Sequence, residues 1–397
     1  MNTDNKADKA DKTKKILIVQ PSIQPPGGGN SVCAWIIEVL KAKYELHVLT
    51  YEPIDLKSIN LHYATSIKES DIIPHKLNPI IVFLVELLPF SAGHLKRSLI
   101  LRACKKMKQN FDLIITANNE ADFGCPGIQY IHYPWNLFPR PLVDIRWYHK
   151  FKIFTSIYYF ICAKTAQYSE LRMKENLSLV NSNWTSEKLK ACYPDIKLQT
   201  VYPPVLNDFP KVLWDKRENG FVCIGRISKE KEIFKIIDIV KRVRLLTKNG
   251  HLHIIGVHDD PVYYTSVLKE VGKYSDWLFL EENLTRYELT QLVSRHKFGI
   301  HGMIDEHFGI SVAEMIAAEC VVFAPKNGGQ REIIGEIPEL LYESIEDAVL
   351  KIGNCIQDSS LLKKIRYDLK KRSFMFSNEI FSSQIRLIVD RFVNKGI

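Results

Sequence analysis

An α/β fold in two domains is predicted by three observations. The chain has 397 residues, too many for one core and suited to two domains of roughly 200 residues each. In both halves, short continuous apolar runs of the kind buried in a parallel sheet alternate with amphipathic helical stretches. Between the halves, Thr200 to Val205 forms an extended connector, because Pro203 and Pro204 each fix their own φ and restrict the residue before.

Composition narrows the class. A quarter of the residues are charged and 46% are apolar, which is ordinary for a globular protein and excludes disordered and collagen-like chains. The net charge of +9 favours anionic partners such as nucleotide phosphates or an acidic membrane face, without singling out nucleic acid. The eight cysteines show no CxxC and no zinc spacing, so buried thiols in a reducing compartment are expected. Residues 1–14 are polar and charged with no apolar centre, which reads as a disordered lead-in and not a signal peptide. No uninterrupted apolar run reaches the length of a transmembrane helix, and Pro79 to Pro89 is short and carries Glu86. A cytosolic protein, in peripheral contact with the inner membrane face at most, is expected.

In chain order, Lys15 to Gln20 is the first buried strand, followed by Pro21, Pro25, Pro26 and Gly27-Gly28-Gly29. Asn30-Ser31 opens a helix with Val32, Trp35, Ile36, Val39 and Leu40 at helical spacing, and Leu46 to Leu49 completes a βαβ unit. The glycine loop has two readings. Gly27-x-Gly29 with Glu52 after the second strand suggests a dinucleotide fingerprint, but Val32 stands where a third glycine belongs. Alternatively, Gly28 and Gly29 offer backbone N–H groups to phosphates or to an acceptor. Residues 53–110 carry little chemistry. His94 to Gln109 is a basic amphipathic helix that either packs on its own domain or lies on an anionic bilayer. Trp147, Phe151, Phe154, Tyr158 and Ile161 form an apolar stripe expected in the core or in a groove for a lipid-linked acceptor.

Phe111 to Thr116 and Ile128 to Pro134 are further strands, and His132 falls at the carboxyl end of the second. Open α/β sheets place ligands at that end, so His132 is a candidate site residue although most single histidines are structural. Leu177 to Val180 is a strand, Asn181 to Thr185 a turn and Ser186 to Ala191 a helix. After the connector, Phe221 to Gly225 is a strand and Ile233 to Leu246 an amphipathic helix; Arg226 and Lys231 flank the loop between them, where two cations and a helix start can hold a diphosphate. His251 and His253 share one face of the next strand, but that strand is expected to be buried with its rings in helix packing, so no metal site is expected. Trp277 to Leu280 is a strand, Arg286 to Leu289 begins a helix, and the tail from Phe374 to Phe392 is helical.

The richest stretch runs from His301 to Glu332. A strand ends near His301, a polar turn holds Asp305-Glu306-His307, a small-residue helix spans Ile310 to Ala318, and Val321 to Ala324 is a strand that breaks at Asn327-Gly328-Gly329. Gly309 lets backbone approach a ligand, and the N–H groups of residues 308–311 face an anion at the helix start. Glu306 and Glu314, eight apart, suit sugar or ribose hydroxyls better than phosphate.

Glu306-x7-Glu314 around Phe308-Gly309, with Gly328-Gly329 and Glu332, resembles the donor-sugar motif of retaining nucleotide-sugar glycosyltransferases of the family 4, "glycosyl transferases group 1" type. Ser182-Asn183-Trp184-Thr185, Tyr202-Pro203-Pro204-Val205 and Gly225-Arg226-x4-Lys231 resemble other parts of the same family, and His132-Tyr133-Pro134 most resembles eukaryotic mannosyltransferases that extend lipid-linked oligosaccharides. One departure is Glu232, where the family usually carries glycine. The resemblance implies the GT-B fold, two Rossmann-like doubly wound domains facing across a cleft, divided here as 15–205 and 206–373 with 374–397 crossing back. It implies retention of configuration and no cofactor and no divalent metal, with a nucleotide-sugar donor and a glycan, lipid-linked or small-molecule acceptor. Implied catalytic residues are His132, Glu306, Arg226 and Lys231; donor contacts are Gly28, Gly29, Arg226, Lys231, Phe308, Gly309, Ile310 and Glu314. A nicotinamide-dependent oxidoreductase and a non-catalytic membrane-surface protein are the alternatives.

Overall fold

The computed structural model describes residues 13–25, 27–88, 92–134, 151–247, 250–258 and 260–395. Most of the expected lead-in, together with Pro26, Pro89, Trp147 and Asp259, lies outside those residues. Among the described residues, two sheets form. The first contains β1 (Lys15–Val19), β2 (Glu45–Thr50), β3 (Ile72–Lys76), β4 (Leu113–Thr116), β5 (Ile128–Ile131), β6 (Leu177–Val180) and β7 (Leu198–Thr200), in the order β3-β2-β1-β4-β5-β6-β7. The second contains β8 (Glu218–Ile224), β9 (Leu252–Ile255), β10 (Leu278–Glu281), β11 (His296–Ile300), β12 (Val321–Pro325) and β13 (Leu341–Tyr342), in the order β10-β9-β8-β11-β12-β13. Neighbouring strands run parallel, for example Ile16 beside Leu46 and Phe298 beside Val321. In each sheet the order reverses at its first strand, β1 or β8, which is the topology of a doubly wound α/β fold.

The chain divides into two compact units. One comprises residues 1–130, 152–178 and 384–397, the other 131–151 and 179–383. In the first unit, Leu17, Val19, Leu49, Ile114 and Phe123 form a core. A buried carboxylate, Asp122, is held by Lys105 Nζ at 2.7 Å and Arg172 Nη2 at 2.8 Å. Burial pushes its pKa up, but bonds from Arg172, Lys105 and the Gly124 amide bring it below the usual carboxylate value. Lys105 belongs to the helix Gly93–Met107, so part of that helix's basic character is spent inside the protein. Asp390, near the chain's end, accepts from Tyr44 Oη at 2.5 Å and Lys43 Nζ at 2.7 Å.

Several elements differ from expectation for identifiable reasons. The strand β3 carries Pro74, which weakens a strand signal and is tolerated because β3 is an edge strand. The helix expected from Ser186 starts at Asn183, because Ser182 Oγ accepts from the Thr185 amide at 3.0 Å and caps it earlier. The tail is a 3-10 turn, Phe374–Phe376, followed by the helix Asn378–Lys395. The apolar stripe is not a core stripe: Phe151 is 53% exposed, Phe154 73% and Ile161 50%.

The second unit has its own core of Phe221, Val222, Ile254, Ile300, Val312, Phe323 and their neighbours. Phe308 is 2% exposed and packs within stacking distance of Tyr202 and Phe376. That packing anchors the loop between β11 and the helix Ile310–Ala317, where the chemistry gathers.

Candidate functional site

The carboxyl ends of β8 and β11 lead into the two loops that carry most of the expected site. After β8, residues Lys229–Lys231 make a 3-10 turn, and Glu232 then adopts φ 52°, ψ 40° before the helix Ile233–Thr247. That left-handed conformation strains any residue with a Cβ, which accounts for glycine being usual at this place in the family. The turn sends the Lys231 side chain toward the loop after β11. Its Nζ lies 2.5 Å from Glu306 Oε2 and 3.4 Å from Met303 Sδ.

Glu306 sits in a charged pocket of low exposure. The imidazole of His301, itself 2% exposed, lies 3.3 Å away. Burial pushes the Glu306 pKa up, but the Lys231 ammonium and the His301 contact outweigh it and hold the carboxyl well below its usual range. Burial lowers the His301 pKa more than the Glu306 charge raises it, so this ring favours the neutral form. At neutral pH the pair is an ammonium beside a carboxylate, and Glu306 is an acceptor of hydrogen bonds, not an acid.

The double glycine has a packing role. Gly328 bridges to Glu306, and the Gly329 amide donates to the Glu306 carbonyl at 2.6 Å. A Cβ on Gly328 would meet the Glu306 amide nitrogen at 2.7 Å, and one on Gly329 would collide with the His307 carbonyl. Backbone contact at this range fixes the 305–308 loop. Gly309, at φ 102°, precedes the helix Ile310–Ala317 with no side-chain cap, leaving its first N–H groups for a ligand. The ring of Phe308 lies in the core and does not face that helix start.

Glu314 faces a cation that sequence reading missed. Arg286 Nη1 donates to Glu314 Oε1 at 2.5 Å, and Asp208 accepts from the same guanidinium at 2.6 and 3.0 Å. Burial pulls the Arg286 pKa down, but the two carboxylates raise it above its ordinary value. Only the position of Arg286 at a helix start pointed to it. Arg226 is 53% exposed in its side chain and pairs with Glu230 at 2.9 Å.

Glu332 reaches the start of another helix. It accepts from the Asn183 amide at 2.9 Å, the Trp184 amide at 2.8 Å and Tyr202 Oη at 3.1 Å. It thus supplies an acidic cap to the helix Asn183–Cys192. Burial and the Glu332 charge push the Tyr202 pKa up to about 12. Ser182 Oγ donates to the His307 carbonyl at 2.6 Å, while the His307 ring stacks on Tyr133 at 4.1 Å. Residues 182–185, 202, 306–309 and 332 therefore form one connected assembly, and His132, whose carbonyl accepts from Asn181 Nδ2 at 3.0 Å, adjoins it through Tyr133. His132, Arg226, Lys231, Glu306, Phe308, Gly309, Ile310 and Glu314 all belong to the second unit. Gly28 and Gly29 belong to the first, in the opening turn of the helix Gly28–Leu40.

Residues 205–372 match the family described as glycosyl transferases group 1. A "GDP-Man:Man(3)GlcNAc(2)-PP-Dol alpha-1,2-mannosyltransferase" of Dictyostelium discoideum is 25% identical over 272 residues, covering 63% of this chain and 54% of its own. The protein of the same name from Mus musculus is 29% identical over 253 residues, covering 57% and 50%. The chain thus spans about half the length of the curated relatives it matches. Among solved structures, HepE of Anabaena in complex with UDP superposes with a TM-score of 0.67 at 14% identity, covering 95% of this chain and 99% of its own. The chain has the GT-B fold shared with such structures, and its residues 205–372 are of the glycosyl transferases group 1 type.

Proposed function

We propose that the chain is a retaining glycosyltransferase that moves a hexosyl unit from a nucleotide-diphospho-sugar, GDP-mannose in first place, to a lipid-diphosphate-linked glycan without a divalent metal. The observation that carries this reading is the Lys231–Glu306 pair, 2.5 Å apart, in the loop that leads to the uncapped start of the helix Ile310–Ala317. When the bond between the sugar C1 and the diphosphate oxygen breaks, negative charge grows on that oxygen. Lys231, Arg226 and the N–H groups at the helix start are suited to stabilise it, which is the work a divalent cation does in other transferases. Arg226 exchanges Glu230 for phosphate in this scheme. The acceptor hydroxyl bonds to C1 on the face the diphosphate leaves and gives its proton to the departing diphosphate oxygen, which retains configuration. Glu306 and the backbone of 308–310 hold the sugar, His132 assists, and Glu314 takes the ribose hydroxyls.

The donor and acceptor in this proposal follow the names of the curated mannosyltransferase relatives. A membrane-surface site of action is supported by the first unit. Ile80, Phe83, Leu84 and Leu87 are 58 to 69% exposed, and Ile153, Phe154, Ile157 and Phe160 are 53 to 75% exposed. Lys152 and Lys164 lie on the same helix as the second group, Lys152–Ala166. Apolar groups with lysines suit the boundary of an anionic bilayer. No helix among the described residues is long and apolar enough to cross a membrane.

The test is a thermal-stabilisation screen of GDP-, UDP- and ADP-sugars in EDTA, followed by transfer to a lipid-linked glycan. GDP-mannose is expected to raise Tm most and to be consumed. Stabilisation by no sugar nucleotide contradicts the reading.

A further inference from the structure

At the amino ends of β8, β9 and β11, opposite the ends that carry the proposed transfer site, three imidazoles converge with a carboxylate. His251 precedes β9, His253 lies within it, His296 opens β11 and Glu218 opens β8 as the register partner of His296. One ring nitrogen from each histidine lies within 4.8 Å of the others. His251 Nε2 and His296 Nε2 are 2.8 Å apart, and Glu218 Oε2 lies 3.3 Å from the first and 3.9 Å from the second. A seven-residue strand separates this cluster from the loop of Arg226 and Lys231, about 20 Å at ~3.3 Å per residue.

The surroundings orient these rings as metal ligands are oriented. His296 Nδ1 lies 2.7 Å from the Leu292 carbonyl oxygen, which can only accept. That nitrogen therefore carries the proton, and Nε2 keeps its lone pair. His253 Nδ1 lies 2.8 Å from Glu281 Oε1, which fixes the same tautomer in that ring. A carbonyl or carboxylate on the far ring nitrogen is the usual support of a metal-bound histidine. Gly220 leaves the space in which the His251 ring sits: a Cβ there would collide with that ring. Histidine rings packed against Phe279, 4.8 Å from His253, account for the burial but not for the convergence of nitrogen atoms with Glu218.

We infer that His251, His253, His296 and Glu218 form a binding site for a divalent transition-metal ion, Zn2+ in first place, that ties together the amino ends of β8, β9 and β11. Nitrogen and carboxylate ligands at ~2.0–2.2 Å in a tetrahedron are the preferred shell of Zn2+, and adjacent ligand atoms then stand about 3.3 Å apart. The 3.3 Å spacing of Glu218 from His251 already meets that value, and the two Nε2 atoms, 2.8 Å apart, need to separate by about 0.5 Å. Glu218 and His296 Nε2, 3.9 Å apart, need to close by about 0.6 Å, and the histidine nitrogens that stand up to 4.8 Å apart need to close by about 1.5 Å. On binding, the proton that His251 Nε2 shares with His296 Nε2 passes through solvent to His251 Nδ1, so each ligating imidazole stays neutral and keeps one N–H. With four protein ligands the ion has no open position, so it is structural and takes no part in transfer.

The experiment uses the whole chain, stripped with EDTA and then titrated with Co2+ and Zn2+. Expected are one Co2+ per chain with the visible absorption of a four-coordinate ion, bleaching of that absorption by Zn2+, and a Tm several degrees higher with Zn2+. His253→Gln and Gly220→Ala, the second acting by displacing the His251 ring, are each expected to weaken metal binding at least 100-fold. A wild-type titration without stoichiometric four-coordinate Co2+ overturns the inference, whether or not the variants fold. So does undiminished affinity in both variants. Sugar-nucleotide binding is read separately, in EDTA, so loss of the metal site leaves the proposed transferase function standing.

Discussion

Lys231 Nζ lies 2.5 Å from Glu306 Oε2, and it joins two loops, one after β8 and one after β11, that are 75 residues apart in sequence. Breaking this pair from one side leaves a cation of low exposure without its counter-charge. Glu306→Gln is therefore expected to cost about 2–3 kcal/mol at pH 7, below the ~3–5 kcal/mol of a fully buried pair because both groups keep some solvent access. The sign with pH follows from the lowered pKa of Glu306. Its contribution is complete above the unfolded carboxyl pKa of about 4.3 and is lost as pH falls through the folded value. Urea melts from pH 7 down to pH 3 are expected to show wild type losing its advantage over Glu306→Gln below about pH 4.3. A gap between the two that is constant over the whole range contradicts the pairing.

Glu232 carries a side chain at φ 52°. Glu232→Gly removes left-handed strain of roughly 1–2 kcal/mol and returns part of it as unfolded-chain entropy. A net gain of about 0.5–1 kcal/mol in denaturant unfolding is expected. A loss of stability means that the Glu232 side chain makes a contact worth more than the strain.

Glu332 caps the helix Asn183–Cys192 through two amides and holds Tyr202. Glu332→Ala is expected to destabilise by about 1–2 kcal/mol. It also removes the charge that helps raise the Tyr202 pKa, so ultraviolet titration is expected to show tyrosinate forming at lower pH in the variant. An unchanged tyrosine titration contradicts the contact.

Glu314 is one of two carboxylates on Arg286, and Asp208 keeps that guanidinium paired when Glu314 is changed. Glu314→Gln is accordingly expected to leave Tm within a few degrees of wild type while weakening donor affinity by about 10- to 100-fold, the worth of a charged hydrogen bond to a ribose hydroxyl. Calorimetry showing undiminished donor affinity removes Glu314 from the donor site.

The sheets and the two long loops are legible in the sequence because strands buried on both faces write themselves as unbroken apolar runs, as at Ile16 to Val19, while at β8 only Phe221 to Ile224 is such a run and the strand extends back to Glu218. The edge strand β3, interrupted by Pro74, and the two-residue β13 carry no such signal. Motif spacing pointed to Lys231 and Glu306 but not to their mutual contact, since a pair 75 residues apart is set by strand order and not by local pattern. The contacts of Glu332 with the amides of Asn183 and Trp184, 149 and 148 residues away, are not legible from its place in the donor motif. Arg286 was missed for the same reason. The apolar stripe at 151–161 reads from sequence as either core or a groove for a lipid-linked acceptor, because periodicity shows which residues share a face, not what that face meets; its exposure excludes the core.

The central claim is that the cations of the 226–231 loop and the helix start after Gly309 hold a nucleoside diphosphate without a metal. The most direct test is a calorimetric titration of GDP in EDTA against wild type and Arg226→Ala. The Arg226 side chain is 53% exposed and its ion pair with Glu230 is a surface pair, so the variant is expected to fold with little change in Tm. Loss of one charge-assisted contact predicts affinity about 10- to 100-fold weaker than wild type. Equal affinity in the two proteins, or wild-type binding that appears only when a divalent ion is restored, contradicts it.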